Sequence, residues 1–149
     1  MLKYFKDNDL VLYPQEQPAT WEEAIRMSCH KLEEGGYVTE EYADSIIKSV
    51  NEFGPYIVLL PGVAMPHAAV TSPGVSGTAV ALTVFKDEVA FYDNDAAEEK
   101  PAKLFFTIVA EDDDKHLENI TNLMTLLQNE ETLEALLKSG TIEDFNKLI

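Results

Sequence analysis

From Thr20 onward, Trp21, Ala24, Ile25, Ser28 and Leu32 fall on one face of a helix, and Gly35-Gly36 supplies a stop. Thr20-Trp21-Glu22-Glu23 has the pattern of a capping box: a hydroxyl that can accept from the third residue on, and a glutamate that can reach back. A second helix is predicted from Thr39, with Glu40 and Glu41 on its N-terminal dipole and Tyr42, Ile46, Ile47, Val50 and Phe53 in helical period. Gly54-Pro55 ends it. The period then changes. Tyr56–Leu60, Thr78–Phe85 and Lys103–Ala110 are short runs rich in β-branched and aromatic residues, read as strands, with Glu88–Tyr92 a shorter fourth candidate. The first of them reads as buried, and Val63–Pro66 after it as a bend. Helical spacing returns over Lys115–Gln128, where Leu117, Ile120, Leu123, Met124 and Leu127 share a face. Asn129 and Thr141 cap two further short helices. Helices, a block of strands, then helices predict an α/β layered domain, a mixed sheet with helices on both faces.

Composition narrows what such a domain does. A chain of 149 residues, 46% hydrophobic, suits one domain over residues 1–149 with one core. No apolar run reaches the roughly 18–20 residues of a membrane span, and the polar start MLKYFKDNDL lacks the form of a secretory signal, so a cytoplasmic protein is expected. The single cysteine, Cys29, excludes an internal disulfide; with only Arg26 and Lys31 as basic neighbours it reads as a buried, unreactive thiol. The net charge of −16 argues against nucleic acid and against docking on an anionic membrane surface, while leaving a basic protein partner open. Arg26 is the one arginine, so no arginine cluster can clamp a phosphate.

The chemistry gathers at His67, behind Pro66 and among Ala64, Ala68 and Ala69. A neutral imidazole is nucleophilic near pH 7, and a phosphoryl group on one of its nitrogens stays transferable. Small neighbours would admit a partner's surface, and Pro66 would stiffen the approach. A Pro-His dipeptide alone is better explained by a histidine that fills a loop.

The longer stretch GPYIVLLPGVAMPHA, Gly54–Ala68, is more specific. It resembles the active-site segment of the enzyme IIA proteins of the bacterial phosphoenolpyruvate-dependent sugar phosphotransferase system, in the mannitol/fructose superfamily. The Gly54–Val58 lead-in and Met65 before Pro66-His67 look like the ascorbate-type branch. The resemblance covers nearly the whole chain, through the late KHLENITNL helix, and implies the α/β fold of that superfamily. It implies that His67 accepts a phosphoryl group from the histidine-containing phosphocarrier protein and passes it to a IIB component carrying a cysteine. The membrane IIC component would be engaged only indirectly, and the cargo by branch would be L-ascorbate. His116, in the matching "HL" position, would support the site and bond the phosphoryl group. No cofactor and no metal would be needed here. The mannitol/fructose branch also carries an arginine upstream of its histidine. Counting back lands near Asn51, a surface residue or a neutral substitute donor. Main-chain N–H groups over Pro61–His67 are the other expected donors.

Two further readings stay open on the sequence. One is a regulatory module that binds partners according to the state of its histidine. The other is a metal-dependent hydrolase built from His67, His116 and Glu111–Asp114, although no tight ligand spacing supports it. Without the resemblance, His116 could equally be an exposed helix-end residue; the acids around it and the helix dipole push its pKa in opposite directions. His30 matches no motif and is taken as structural.

Overall fold

In a computed structural model that describes residues 1–149, five strands form one mixed sheet in the order β1-β4-β5-β3-β2. The elements run α1 (Leu2–Asp7), β1 (Val11–Leu12), α2 (Trp21–Ser28), α3 (His30–Glu34), α4 (Glu41–Phe53), β2 (Val58–Leu60), β3 (Gly62–Ala64), β4 (Ala79–Asp93), β5 (Glu98–Val109), α5 (Asp113–Leu127), α6 (Glu130–Lys138) and α7 (Ile142–Asn146).

The long antiparallel hairpin β4–β5 is the spine. Every residue from Ala79 to Phe85 is buried, which requires cover on both faces of the sheet. The cover differs by face. Phe105 and Phe106 are adjacent on β5 and so point to opposite sides. Phe106 packs against Phe5 of α1, while Phe105 meets Phe85 edge to face and packs against Phe91, the latter against Trp21 of α2. The two predicted strands Thr78–Phe85 and Glu88–Tyr92 are one strand with an irregularity between Val84 and Val89, where the exposed Lys86–Glu88 interrupt the apolar pattern.

Several expectations change. The helix from Thr20 breaks at Cys29 into α2 and α3, and the second begins at Glu41 rather than Thr39. Thr20 does cap α2, its hydroxyl accepting from Glu23 N at 3.2 Å, but the Glu23 carboxylate takes the N–H of Ala19 instead of closing the box on Thr20. The segment Tyr56–Leu60 is not a buried strand. Its ordered part, β2, is an edge strand with Leu59 and Leu60 exposed. The bend after it is the buried element: Gly62–Ala64 form β3, parallel to β5 and without exposed residues. Gly62, at φ +91°, makes the reversal that a side chain would strain. Neither α1 nor β1 was legible, both being too short for a period to register.

Candidate functional site

β3 and β5 are parallel neighbours, so both chains leave the sheet at the same end. The first becomes the His67 loop; the second runs through Ala110–Asp112 into α5, whose first turns carry His116. Crevices beyond the carboxyl ends of parallel strands are the habitual ligand sites of α/β sheets. Here the two histidine rings meet with centroids 5.5 Å apart and planes tilted by 42°. The pairing of His67 with His116 expected from the resemblance is therefore a geometric fact, although 49 residues of sequence separate them.

The His67 loop is held at four consecutive residues. Met65 N donates to Ile57 O at 2.7 Å, and Pro66 O accepts from Ile108 N at 2.9 Å, continuing the β3–β5 ladder. His67 O accepts from the Tyr56 hydroxyl at 2.7 Å, and Ala68 N donates to the Tyr42 hydroxyl at 3.1 Å. The same Tyr42 hydroxyl donates to Ile108 O at 2.6 Å, so one buried phenol links α4, the loop and β5. Burial pushes its pKa well above the usual tyrosine range, which keeps it a donor.

The half-buried His67 ring lies with Nδ1 2.7 Å from Met65 O. A carbonyl only accepts, so Nδ1 carries the proton and the neutral ring holds its lone pair on Nε2. Tyr56 stands edge-on to this ring, centroids 5.3 Å apart at 89°. His116 has its pKa lowered, first by burial and then by the His67 ring, with Asp113 opposing; the open sign is thereby decided in favour of the neutral form.

The main-chain donors expected over Pro61–His67 are largely committed. Pro61 and Pro66 have no N–H, Gly62–Ala64 lie in the sheet, and Met65 N is bonded. On the loop, the N–H groups of His67 and Ala69 have no internal partner. Asn51 is exposed and lines a hollow of about 620 Å³ with Trp21, Phe53 and Tyr92, a hollow that does not include His67. Besides Tyr42, α4 brings Ser49 next to the Tyr56 hydroxyl.

Glu111–Asp114 do not converge with the histidines into any group of three metal-ligating side chains. Asp112 caps α5 through Lys115 N at 2.8 Å, and Glu111 is tied to Thr78 and Lys115. His30 is exposed, 3.7 Å from Glu34 and remote from the loop. Cys29 is fully buried, its pKa pushed up to about 12 by burial and then by Glu33.

The profile of the family described as "Phosphoenolpyruvate-dependent sugar phosphotransferase system, EIIA 2" matches residues 4–149. The chain belongs to this family. It is 38% identical over 129 residues to the mannitol-specific cryptic phosphotransferase enzyme IIA component of Escherichia coli (strain K12), covering 87% of this chain and 84% of that one. It is 31% identical over 136 residues to the ascorbate-specific PTS system EIIA component of the same strain, covering 91% and 86%. The fold superposes on enzyme IIA mannitol in its complex with phosphorylated enzyme IIB mannitol from Escherichia coli, with a TM-score of 0.74, 26% identity and 92% of each chain covered. This IIA chain is thus a phosphotransferase component of the sugar phosphotransferase system, with the mixed-sheet α/β fold of its mannitol-type relatives.

The site residues that sequence reasoning missed are Tyr42 and Tyr56, taken as an apolar helix position and the start of a strand. The available signal was chemical: a tyrosine rather than phenylalanine at a helix position facing the core needs a partner for its hydroxyl.

Proposed function

We propose that His67 is the phosphoryl carrier of this IIA component and acts through Nε2. The observation that carries this is the Nδ1–Met65 O bond, which leaves the Nε2 lone pair free beside His116. The Nε2 pair attacks the phosphorus of a phosphohistidine on the donor, the histidine-containing phosphocarrier protein. The donor's N–P bond breaks and its ring recovers that electron pair. His67 becomes a phosphorylated imidazolium whose Nδ1–H remains on Met65 O. A neutral His116 adds no cation to compete with the nucleophile and has an N–H to offer a phosphoryl oxygen; the unpartnered N–H groups of His67 and Ala69 are further donors. A cysteine thiolate of a IIB component then attacks phosphorus, and Nε2 regains its pair. Both exchanges take place in the cytoplasm, with the membrane IIC component served only through IIB. No helix of this chain is long and apolar enough to cross a membrane.

L-Ascorbate is the proposed cargo, on the ascorbate-like Gly54–His67 segment and the lack of any arginine between Arg26 and His67. The 38% identity to the mannitol-specific relative supports a second reading, a mannitol-type system. Incubation with phosphoenolpyruvate, enzyme I and the phosphocarrier, read by intact mass, tests the carrier role. One acid-labile phosphoryl group on wild type and none on His67→Ala is expected; an unmodified wild type beside a labelled IIA control would overturn it. Adding ascorbate-type and mannitol-type IIB domains in parallel shows which removes the label faster.

A further inference from the structure

We infer that Tyr56 is a positioning residue for phosphoryl transfer, its hydroxyl clamping the His67 carbonyl so that the ring keeps Nδ1 on Met65 O and presents Nε2. The inference rests on the carrier role proposed for His67.

Four hydrogen bonds fix Met65–Ala68, and they are not equivalent. Two are main chain to main chain, and the third comes from Tyr42, 1% exposed. The fourth comes from Tyr56, 38% exposed, and it alone falls on the histidine itself. Its 2.7 Å length and the edge-on ring 5.3 Å away fix both the backbone and the side chain of His67. The ring's own bond reaches back only two residues, to Met65 O, so it depends on the main-chain angles of Pro66 and His67, which the Tyr56 and Tyr42 bonds on the His67–Ala68 peptide and the edge-on Tyr56 ring together restrain. If the backbone or ring of His67 drifts once this restraint is weakened, Nδ1 loses its acceptor, the two neutral tautomers become comparable, and a share of the rings carries its proton on the nitrogen that must attack. Tyr56 also lies where the site opens to solvent. A partner seated over His67 would exclude water from the clamp and strengthen it at the moment of transfer. Ser49 of α4 lies beside the phenol.

Tyr56→Phe keeps the ring and removes the donor; Tyr56→Ala removes both. In single-turnover transfer from the phosphorylated phosphocarrier, Tyr56→Phe is expected to slow the first-order step about 5- to 20-fold, with the half-saturating donor concentration within twofold of wild type. Nitrogen-15 NMR of the His67 ring is expected to show one Nδ1–H tautomer in wild type and a mixture in both variants, with thermal midpoints of wild type and Tyr56→Phe within about 2 °C. Unchanged rate and tautomer in Tyr56→Phe would overturn the inference, as would loss in Tyr56→Ala alone, which would assign the effect to the ring. The NMR arm needs no partner protein. If wild type takes no phosphoryl group, the carrier role fails while the clamp is still judged by the tautomer.

Discussion

At the scale of single residues, the surroundings of His116 favour its neutral ring. Burial and the facing His67 ring lower the pKa of His116 against its ordinary 6.5, with Asp113 pulling the other way. The unfolded chain therefore takes up this proton at a higher pH than the folded one. The stability linked to His116 is fully present above pH 6.5 and is lost as the pH falls through the lowered folded value. Urea midpoints measured from pH 7.5 to 5 should decline less in His116→Gln than in wild type; parallel declines would mean that the ring titrates as it does in the unfolded chain. Tyr42 illustrates what one atom decides. Its hydroxyl serves Ala68 N and Ile108 O together, so a position that reads as one more apolar helix residue is also the joint between loop and sheet.

At the scale of elements, helix starts are where local sequence and structure agree best. The N-caps Thr20, Asp112, Asn129 and Thr141 each accept from the third residue on, and three of them were expected on residue type alone. Asp112→Ala should cost about 1 kcal/mol of stability by urea unfolding. Because His116 is in the second turn from that cap, its NMR signals should broaden or shift in the same variant. A change confined to stability would show that the start of α5 does not depend on its cap. Strands were harder to read. β2 and β3 hold three residues each, and their assignment reversed: the apolar VLL became the exposed edge and the small-residue GVA became the buried strand. Hydrophobicity marks a segment as strand-like but does not say which neighbour it pairs with. Gly62–Ala64 are buried because β5 lies on one side of them and β2 on the other.

At the scale of the whole molecule, a net charge of −16 on 149 residues means that folding concentrates like charge. Seven ion pairs between Lys or Arg and a carboxylate, mostly exposed, offset little of it. The thermal midpoint should rise between about 10 mM and about 300 mM sodium chloride as the repulsion is screened. A flat or falling midpoint would show that the ion pairs outweigh it. The acidic excess also means that a basic protein is drawn in faster than an acidic one.

The sequence by itself determined the periods of the longer helices, the caps at Thr20, Asn129 and Thr141, the α/β class and the place of His67 behind its proline, because these are local patterns of residue type; His116 as its match came from the family resemblance. Only the tertiary structure decided which apolar run is core and which is edge. It alone brought His67 to His116 across the ends of β3 and β5, and it chose the ring nitrogen that keeps the proton. Those outcomes depend on strand order and on hydrogen bonds from Tyr42, Tyr56 and Ile108, partners that the folded chain supplies from a distance.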